Sequence, residues 1–231
     1  MERAVLFDVD GVLVDSFEAH FQSWLRLAEK NGFSFTREDF TATFGRTSRD
    51  IIAALWPVDH LDAEQIRSLD DRKEALFRGL VAADFPAMDG AAELIDALVE
   101  AGFRLAVGSS GPPENISLVL QRLGREKAFA AVVTGMDVTA GKPDPQVYLL
   151  AAERLNIEPE RCAVVEDAPA GIAAARAANM ASVGLASTGR TVQELRQADL
   201  VVHCLRELTP QVIHELIDQQ RAQRTGARTQ R

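Results

Sequence analysis

Two aspartates near the N-terminus, Asp8 and Asp10, follow directly on a continuous apolar run, Ala4 to Phe7. The run has the pattern of a strand buried on both faces of a parallel sheet. On an extended backbone both carboxylates point the same way from the strand's C-terminal end, where open α/β sheets bind ligands. Two such charges repel, and without compensation one is pushed towards protonation. A divalent cation relieves the conflict, and an all-oxygen donor set favours Mg²⁺. Gly11 then permits a tight turn and a close approach of backbone to whatever is bound. D-x-D-G alone also occurs in plain turns and calcium loops, so the rest of the chain decides its meaning.

Three further groups could take part in chemistry, two of them where apolar stretches give out and one in a loop. Ser109 precedes Ser110-Gly111-Pro112-Pro113, and its hydroxyl with the backbone N–H groups of Ser110 and Gly111 makes a small anion cradle ahead of a helix; an ordinary helix cap is the simpler alternative. Lys142 lies in Gly141-Lys142-Pro143-Asp144-Pro145, a stiff setting for a loop lysine. Glu166-Asp167 ends another apolar run just before Pro169, where acid is also common as the start of a helix.

The elements that must carry these residues alternate. Helical periodicity runs from Phe17 to a stop at Asn31-Gly32, with Ser16 as N-cap, and resumes at about 37–44, 48–56 and 62–83, with Pro57 and the Asp59-His60 neighbourhood as breaks. No strand pattern occurs between Ser16 and Ala83, so residues 16–83 form an all-helical insertion suited to act as a lid. Strands are expected at 103–108, 130–134, 162–165, 181–185 and 200–202. Helices are expected at 90–101, 114–123 and 169–178, and another to Leu155, opened by Asp144 as N-cap and Pro145 at the first position. This alternation predicts an α/β fold, a doubly wound parallel sheet built from residues 1–15 and 84–218. Residues 219–231, rich in Arg and Gln, read as a solvated, frayed basic tail, with a basic docking arm as the lesser alternative.

With 231 residues and 47% hydrophobic content the chain can bury a real core. It has no apolar run of membrane-spanning length and no leader pattern, so a soluble, cytoplasmic protein, monomeric by default, is expected. The spacing of Cys162 and Cys204 suits two buried thiols rather than a disulfide. A net charge of −9 argues against a nucleic-acid surface, and an anionic substrate requires a locally cationic site.

The stretch Asp8-Val9-Asp10-Gly11-Val12-Leu13-Val14-Asp15 resembles the first motif of the haloacid dehalogenase-like hydrolases. Ser109, Gly141-Lys142-Pro143-Asp144-Pro145 and Glu166-Asp167 are similar to the family's second, third and fourth motifs, in order along the chain. The resemblance implies Asp8 as the nucleophile that takes a phosphoryl group, Asp10 as general acid/base, and Lys142 as the cation that screens Asp8 and the phosphate. It further implies Mg²⁺ held among Asp8, Asp10, Glu166 and Asp167, with Asp167 a direct ligand and Glu166 acting mainly through water. The helical insertion resembles that of the subgroup containing β-phosphoglucomutase and phosphoglycolate-type phosphatases. There His20, the loop Gly45-Arg46-Thr47-Ser48-Arg49 and Lys73 imply contacts with substrate or the lid hinge.

The resemblance thus implies a Mg²⁺-dependent phosphatase acting on a small phosphorylated metabolite through an aspartyl-phosphate. A phosphomutase is the runner-up, but Gly111-Pro112-Pro113 departs from the polar set that the mutase offers for a second phosphate: neither proline has an N–H and the lysine is missing. Asp10 counts against a dehalogenase. A non-catalytic phospho-acceptor is the alternative from another class, and it gives neither Asp10 nor a lid a task.

Overall fold

The computed structural model describes residues 2–43, 47–56, 61–187 and 189–228. Strand β1 is Ala4–Phe7, and all four residues are fully buried; a strand without a polar face belongs in the interior of a sheet covered on both sides. It pairs in parallel with β2 (Arg104–Gly108) on one side and β4 (Cys162–Glu166) on the other. With β3 (Phe129–Val133), β5 (Ala181–Leu185) and β6 (Leu200–Val202) the sheet has six strands in the order β3-β2-β1-β4-β5-β6, every pair parallel. This is a doubly wound α/β sheet, as expected. The chain builds one half outwards from β1 and returns to build the other from β4. The crevice at their carboxyl ends is where such sheets bind ligands, and it is here that Asp8 and Glu166-Asp167 lie.

The chain divides into two compact units, residues 1–15 with 87–231 and residues 16–86. In the first, helices α5 (Ala91–Glu100), α6 (Pro113–Leu123), α7 (Gln146–Leu155) and α8 (Pro169–Ala177) connect the strands. Tyr148, Ala151, Val164 and Ala175 belong to one of its apolar clusters. Helix α7 differs from expectation at its start. The carbonyl of Pro145 accepts the first helical hydrogen bonds, from Tyr148 and Leu149, so Pro145 is the N-cap, and Asp144 caps from one residue upstream by accepting from the Gln146 N–H at 2.9 Å. A larger correction concerns the C-terminus. Helix α9 runs Pro210–Arg228, so Gln219–Arg228, expected as a frayed tail, is helical. Ile213, Leu216 and Ile217 anchor its first half in the interior, and Gln, Arg and Ala downstream propagate a helix readily.

The second unit holds α1 (Phe17–Lys30), α2 (Arg37–Thr43), α3 (Ser48–Leu55) and α4 (Ala63–Ala83), and its described residues form no strand. Ser16 occupies the N-cap position of α1, but its hydroxyl makes no cap bond. Asp62 and Gln65 form a reciprocal capping box at the start of α4. Gly45, Arg46, Pro57, Asp59 and His60, named in the sequence reading, lie outside the described residues. Phe21, Trp24, Leu27, Phe40, Ile52 and Leu69 form the core of the unit. Beside it Lys73 is buried, 2% exposed, its Nζ 2.9 Å from Glu74 Oε1 and 2.7 Å from His20 Nδ1, and near the rings of Trp24 and Phe77. Among the described residues no helix is long and apolar enough to cross a membrane.

A buried ammonium depends on its partner. Glu74→Ala is therefore expected to lower unfolding free energy, measured in urea, by about 3 kcal/mol, because the remaining charge is stranded among rings. A loss under about 1 kcal/mol, the level of a solvent-exposed pair, would show that Lys73 does not depend on Glu74.

Candidate active site

The site begins where β1 ends. The Asp8 N–H donates to the Val165 carbonyl at 3.0 Å, prolonging the sheet by one residue and fixing Asp8 beside β4. The chain then winds into one tight turn in which the Val9 carbonyl accepts from the N–H groups of Val12, Leu13 and Val14. Gly11 in this turn has φ +76°, and a Cβ there would collide with the Asp167 carboxylate. Both constraints select glycine.

Lys142 reaches into the crevice from the loop after β3. Its Nζ donates to Asp8 Oδ1 at 2.7 Å, to Glu166 Oε1 at 2.6 Å and to the Gly108 carbonyl at 3.2 Å, which uses all three ammonium donors. Glu166, 1% exposed, also accepts from the Tyr148 hydroxyl at 2.8 Å through Oε1 and from the Ala168 N–H at 2.9 Å through Oε2. A Cβ on Gly171, in the first turn of α8, would enter the same carboxylate.

The electrostatics follow from burial. Burial alone would lower the Lys142 pKa, but the charges of Asp8 and Glu166 outweigh it and hold the amine well above its ordinary value. Burial drives Asp8 up to about 7: Lys142 opposes the rise, while Glu166 and Asp10 add to it. Burial, then Glu166 and Asp8, raise Asp167 well above the carboxylate range, with Arg190 and Lys142 acting against them. One cation at hydrogen-bond distance does not balance this cluster. Asp8, Glu166 and Asp167 each offer a carboxylate oxygen within 4.8 Å of the others, and hard oxygen donors carrying uncompensated charge fit a divalent cation. Glu166 accepts three hydrogen bonds, which leaves it less acceptor capacity for a cation than Asp8 or Asp167. The Asp10 carboxylate, expected in this set, is not part of the three-residue group; its Oδ2 would lie 3.7 Å from a Cβ on Gly111, on the side of the β2 loop.

Ser109 directly follows β2 and is 1% exposed, its N–H donating to the Val133 carbonyl at 3.0 Å. Its Oγ accepts from the Gly111 N–H at 3.1 Å. The Gly111 N–H, expected to face an anion, is therefore turned to Ser109, and this leaves the Ser109 O–H free to point its proton outwards. Ser110 is exposed beside it.

The other expected substrate residues lie in the helical unit. Lys73 and His20 are joined as described; an ammonium has only donors, so His20 accepts at Nδ1 and its ring proton is assigned to Nε2. The His20 ring stacks on Phe77 at 4.0 Å, and Ser48 Oγ donates to Glu74 at 2.8 Å. Arg49 is exposed and pairs through Nε with Asp70 at 2.9 Å. Sequence reading missed Tyr148, the only tyrosine of the chain, whose buried hydroxyl required a partner. It also missed Arg190, whose Nε lies 3.8 Å from Asp167 Oδ2, and Ser187, which donates to the Gly11 carbonyl at 3.1 Å. Nothing in the local sequence marks those two.

A doubly wound sheet with buried aspartates, a lysine and a serine at its strand ends, and a helical insertion after the first strand, defines a class of hydrolases and phosphoryl-transfer enzymes. The sequence matches the haloacid dehalogenase-like hydrolase family over residues 2–179, and the chain belongs to that family of enzymes. It is 33% identical to validoxylamine A 7'-phosphate phosphatase of Streptomyces hygroscopicus subsp. limoneus, over 90% of this chain and 96% of that protein. It is 31% identical to the β-phosphoglucomutase of Bacillus subtilis, over 95% and 97%. Among solved structures, CbbY of Rhodobacter sphaeroides in complex with xylulose-(1,5)bisphosphate is similar with a TM-score of 0.82 and 27% identity, covering 90% of this chain and 96% of that one.

The raised Asp8 pKa has a consequence for stability. The folded protein holds this proton more tightly than the unfolded chain, so the contribution is full below the ordinary value of 3.8 and is lost as pH climbs through about 7. In chelator, the Tm of the protein is expected to fall between pH 5 and 7 more steeply than that of Asp8→Asn. Parallel profiles over that window would contradict the assignment.

Proposed function

We propose that the chain is a Mg²⁺-dependent phosphatase that hydrolyses a small phosphorylated metabolite, a sugar phosphate or similar monoester, through an aspartyl-phosphate on Asp8. The observation that carries this reading is the Lys142 ammonium held between Asp8 and Glu166: it keeps a buried carboxylate available as a nucleophile and sets a fixed positive charge where a phosphate must arrive. The acidic trio fits Mg²⁺, held by Asp8 and Asp167 with Glu166 supporting; when bound, the ion would neutralise phosphate charge that the protein's own cations leave over.

The residues of the chain supply the rest. The Asp8 carboxylate attacks phosphorus as the ester oxygen departs, and Asp10, protonated for this step, gives its proton to the leaving alcohol. A water then attacks the phosphorus of the aspartyl-phosphate while Asp10 takes its proton, which regenerates both carboxyl groups and releases inorganic phosphate. Lys142, the Ser109 O–H and the Ser110 N–H stabilise charge on the equatorial oxygens, the larger part of what phosphoryl transfer asks of a protein. Within the helical unit, substrate selection is assigned to the exposed Arg49 and to His20, whose ring the buried Lys73 holds in place.

The likeness to β-phosphoglucomutase keeps a phosphomutase as the second reading. Hydrolysis is favoured because the α6 N-terminus, where a second phosphate would find N–H donors, opens with Pro112 as N-cap and Pro113 at the first position; neither has one to offer. The test is release of inorganic phosphate, with Mg²⁺, from a panel of phosphorylated metabolites that includes both anomers of glucose 1-phosphate. Asp8→Asn is expected to abolish release and Asp10→Asn to lower it by about 10²- to 10⁴-fold. Conversion of β-glucose 1-phosphate to glucose 6-phosphate without release would establish the mutase instead.

A further inference from the structure

The loop after β3, residues 134–137, has no part in the chemistry above, yet it is tied down from several directions. Asp137 Oδ2 accepts from the Thr134 N–H at 2.8 Å and the Thr134 hydroxyl at 2.7 Å, and the Met136 N–H donates to that hydroxyl at 3.2 Å. From α7, Arg154 donates to Asp137 Oδ1 at 2.6 Å and, through its other terminal nitrogen, to the Val132 carbonyl. What this clamp presents to the site is Gly135. Its N–H donates to the Gly111 carbonyl at 3.1 Å. A Cβ on Gly135 would collide with the Ser110 carbonyl oxygen and lie 3.6 Å from that of Gly111. The Gly111 carbonyl belongs to a peptide bond with proline, and the turn donates its Gly111 N–H to Ser109. The backbone of Gly135 thus braces from outside a turn whose own donors are needed within.

We propose that Gly135, held by Thr134, Asp137 and Arg154, is the positioning residue for the anion cradle at Ser109–Gly111, setting where the Ser109 O–H and the Ser110 N–H meet a phosphoryl group. The inference rests on the phosphatase reading of that cradle. The clamp is suited to the task across the working pH range: hydrogen bonds from Arg154 and then Thr134 hold the Asp137 carboxyl down at about 2, so it stays ionised.

The test compares Gly135→Ala and Asp137→Asn with a matched control. Asp199 makes the same clamp elsewhere, accepting from the Ser182 N–H and hydroxyl at 2.8 Å each, but near the start of β5, at the opposite end of the sheet. The measurements are kcat/KM on an ester that the wild type hydrolyses and the affinity for orthovanadate, a mimic of the transferring group. Displacements of about 1 Å at a catalytic cradle cost on the order of 10²-fold, and that loss is expected for Gly135→Ala. Asp137→Asn, which keeps the backbone free of a clash, is expected to lose about 10-fold. Both losses should appear equally in vanadate affinity, while Asp199→Asn keeps kcat/KM and vanadate affinity even where its Tm falls as far. Should Gly135→Ala fail to fold, Asp137→Asn decides. Vanadate affinity within about twofold of wild type in Asp137→Asn, or an equal loss in Asp199→Asn, would overturn the proposal. A wild type that turns over no ester but binds vanadate would refute the phosphatase reading alone, because calorimetric vanadate binding still judges the cradle. A wild type that does neither refutes both.

Discussion

One ammonium group, that of Lys142, lies between Asp8 and Glu166, and the geometry of this end of the sheet depends on it. Three carboxylates collected beside buried strands would be untenable unless their charge were offset. Lys142, with Arg190 near Asp167, supplies the part that is built into the chain, and Lys142 does so from a loop two strands away from β1. Glu166 accepts in return from Lys142, Tyr148 and the Ala168 N–H, three of the roughly four acceptor sites of a carboxylate, so most of its capacity is spent on holding the lysine and its surroundings. Asp8 and Asp167 keep unused acceptor capacity on the side where a cation and a phosphate can be met.

The backbone makes room for this arrangement at places where any side chain would intrude. Gly11 stands against Asp167 and Gly171 against Glu166. Each glycine is set by a close approach to a carboxylate, and Gly11 by its positive φ as well. The same logic extends to Gly135 and the Ser110 carbonyl, where the contact is backbone to backbone. These positions couple the fold to the chemistry. A methyl group at one of them would meet a carboxylate or a carbonyl oxygen, and the burial that gives Asp8 and Lys142 their altered acidity leaves little room for adjustment.

Much of this was legible from sequence because buried parallel strands are unbroken apolar runs, and polar residues that interrupt them at their ends stand out. Ala4–Phe7 ending in Asp8 and Cys162–Val165 ending in Glu166-Asp167 announced both the sheet and its acidic edge. Lys142 was found by a stiff loop and a motif likeness. What escaped depends on contacts made across the fold. Tyr148 reads as one more apolar position of α7 until Glu166 is placed beside its hydroxyl. Asp10 stands outside the group of three carboxylates whose oxygens lie within 4.8 Å of one another, a placement that alternation along a strand does not contain. Helix α9 was missed because its anchoring residues are few and its second half is polar, so tertiary packing rather than periodicity sustains it. Burial of Lys73 could not be foreseen either, since an isolated lysine on a helix is almost always solvated.

The central claim is that Lys142 makes the buried Asp8 carboxylate an acceptor of the phosphoryl group. The most direct measurement is a rapid acid quench during turnover of a radiolabelled phosphate ester with Mg²⁺, followed by peptide mapping, on the wild type and on Lys142→Met. Label is expected on Asp8 in the wild type, removable by mild base as for an acyl phosphate, and none in the folded Lys142→Met protein. Turnover without label on Asp8, or labelling of Asp8 in Lys142→Met at the wild-type rate, would contradict it.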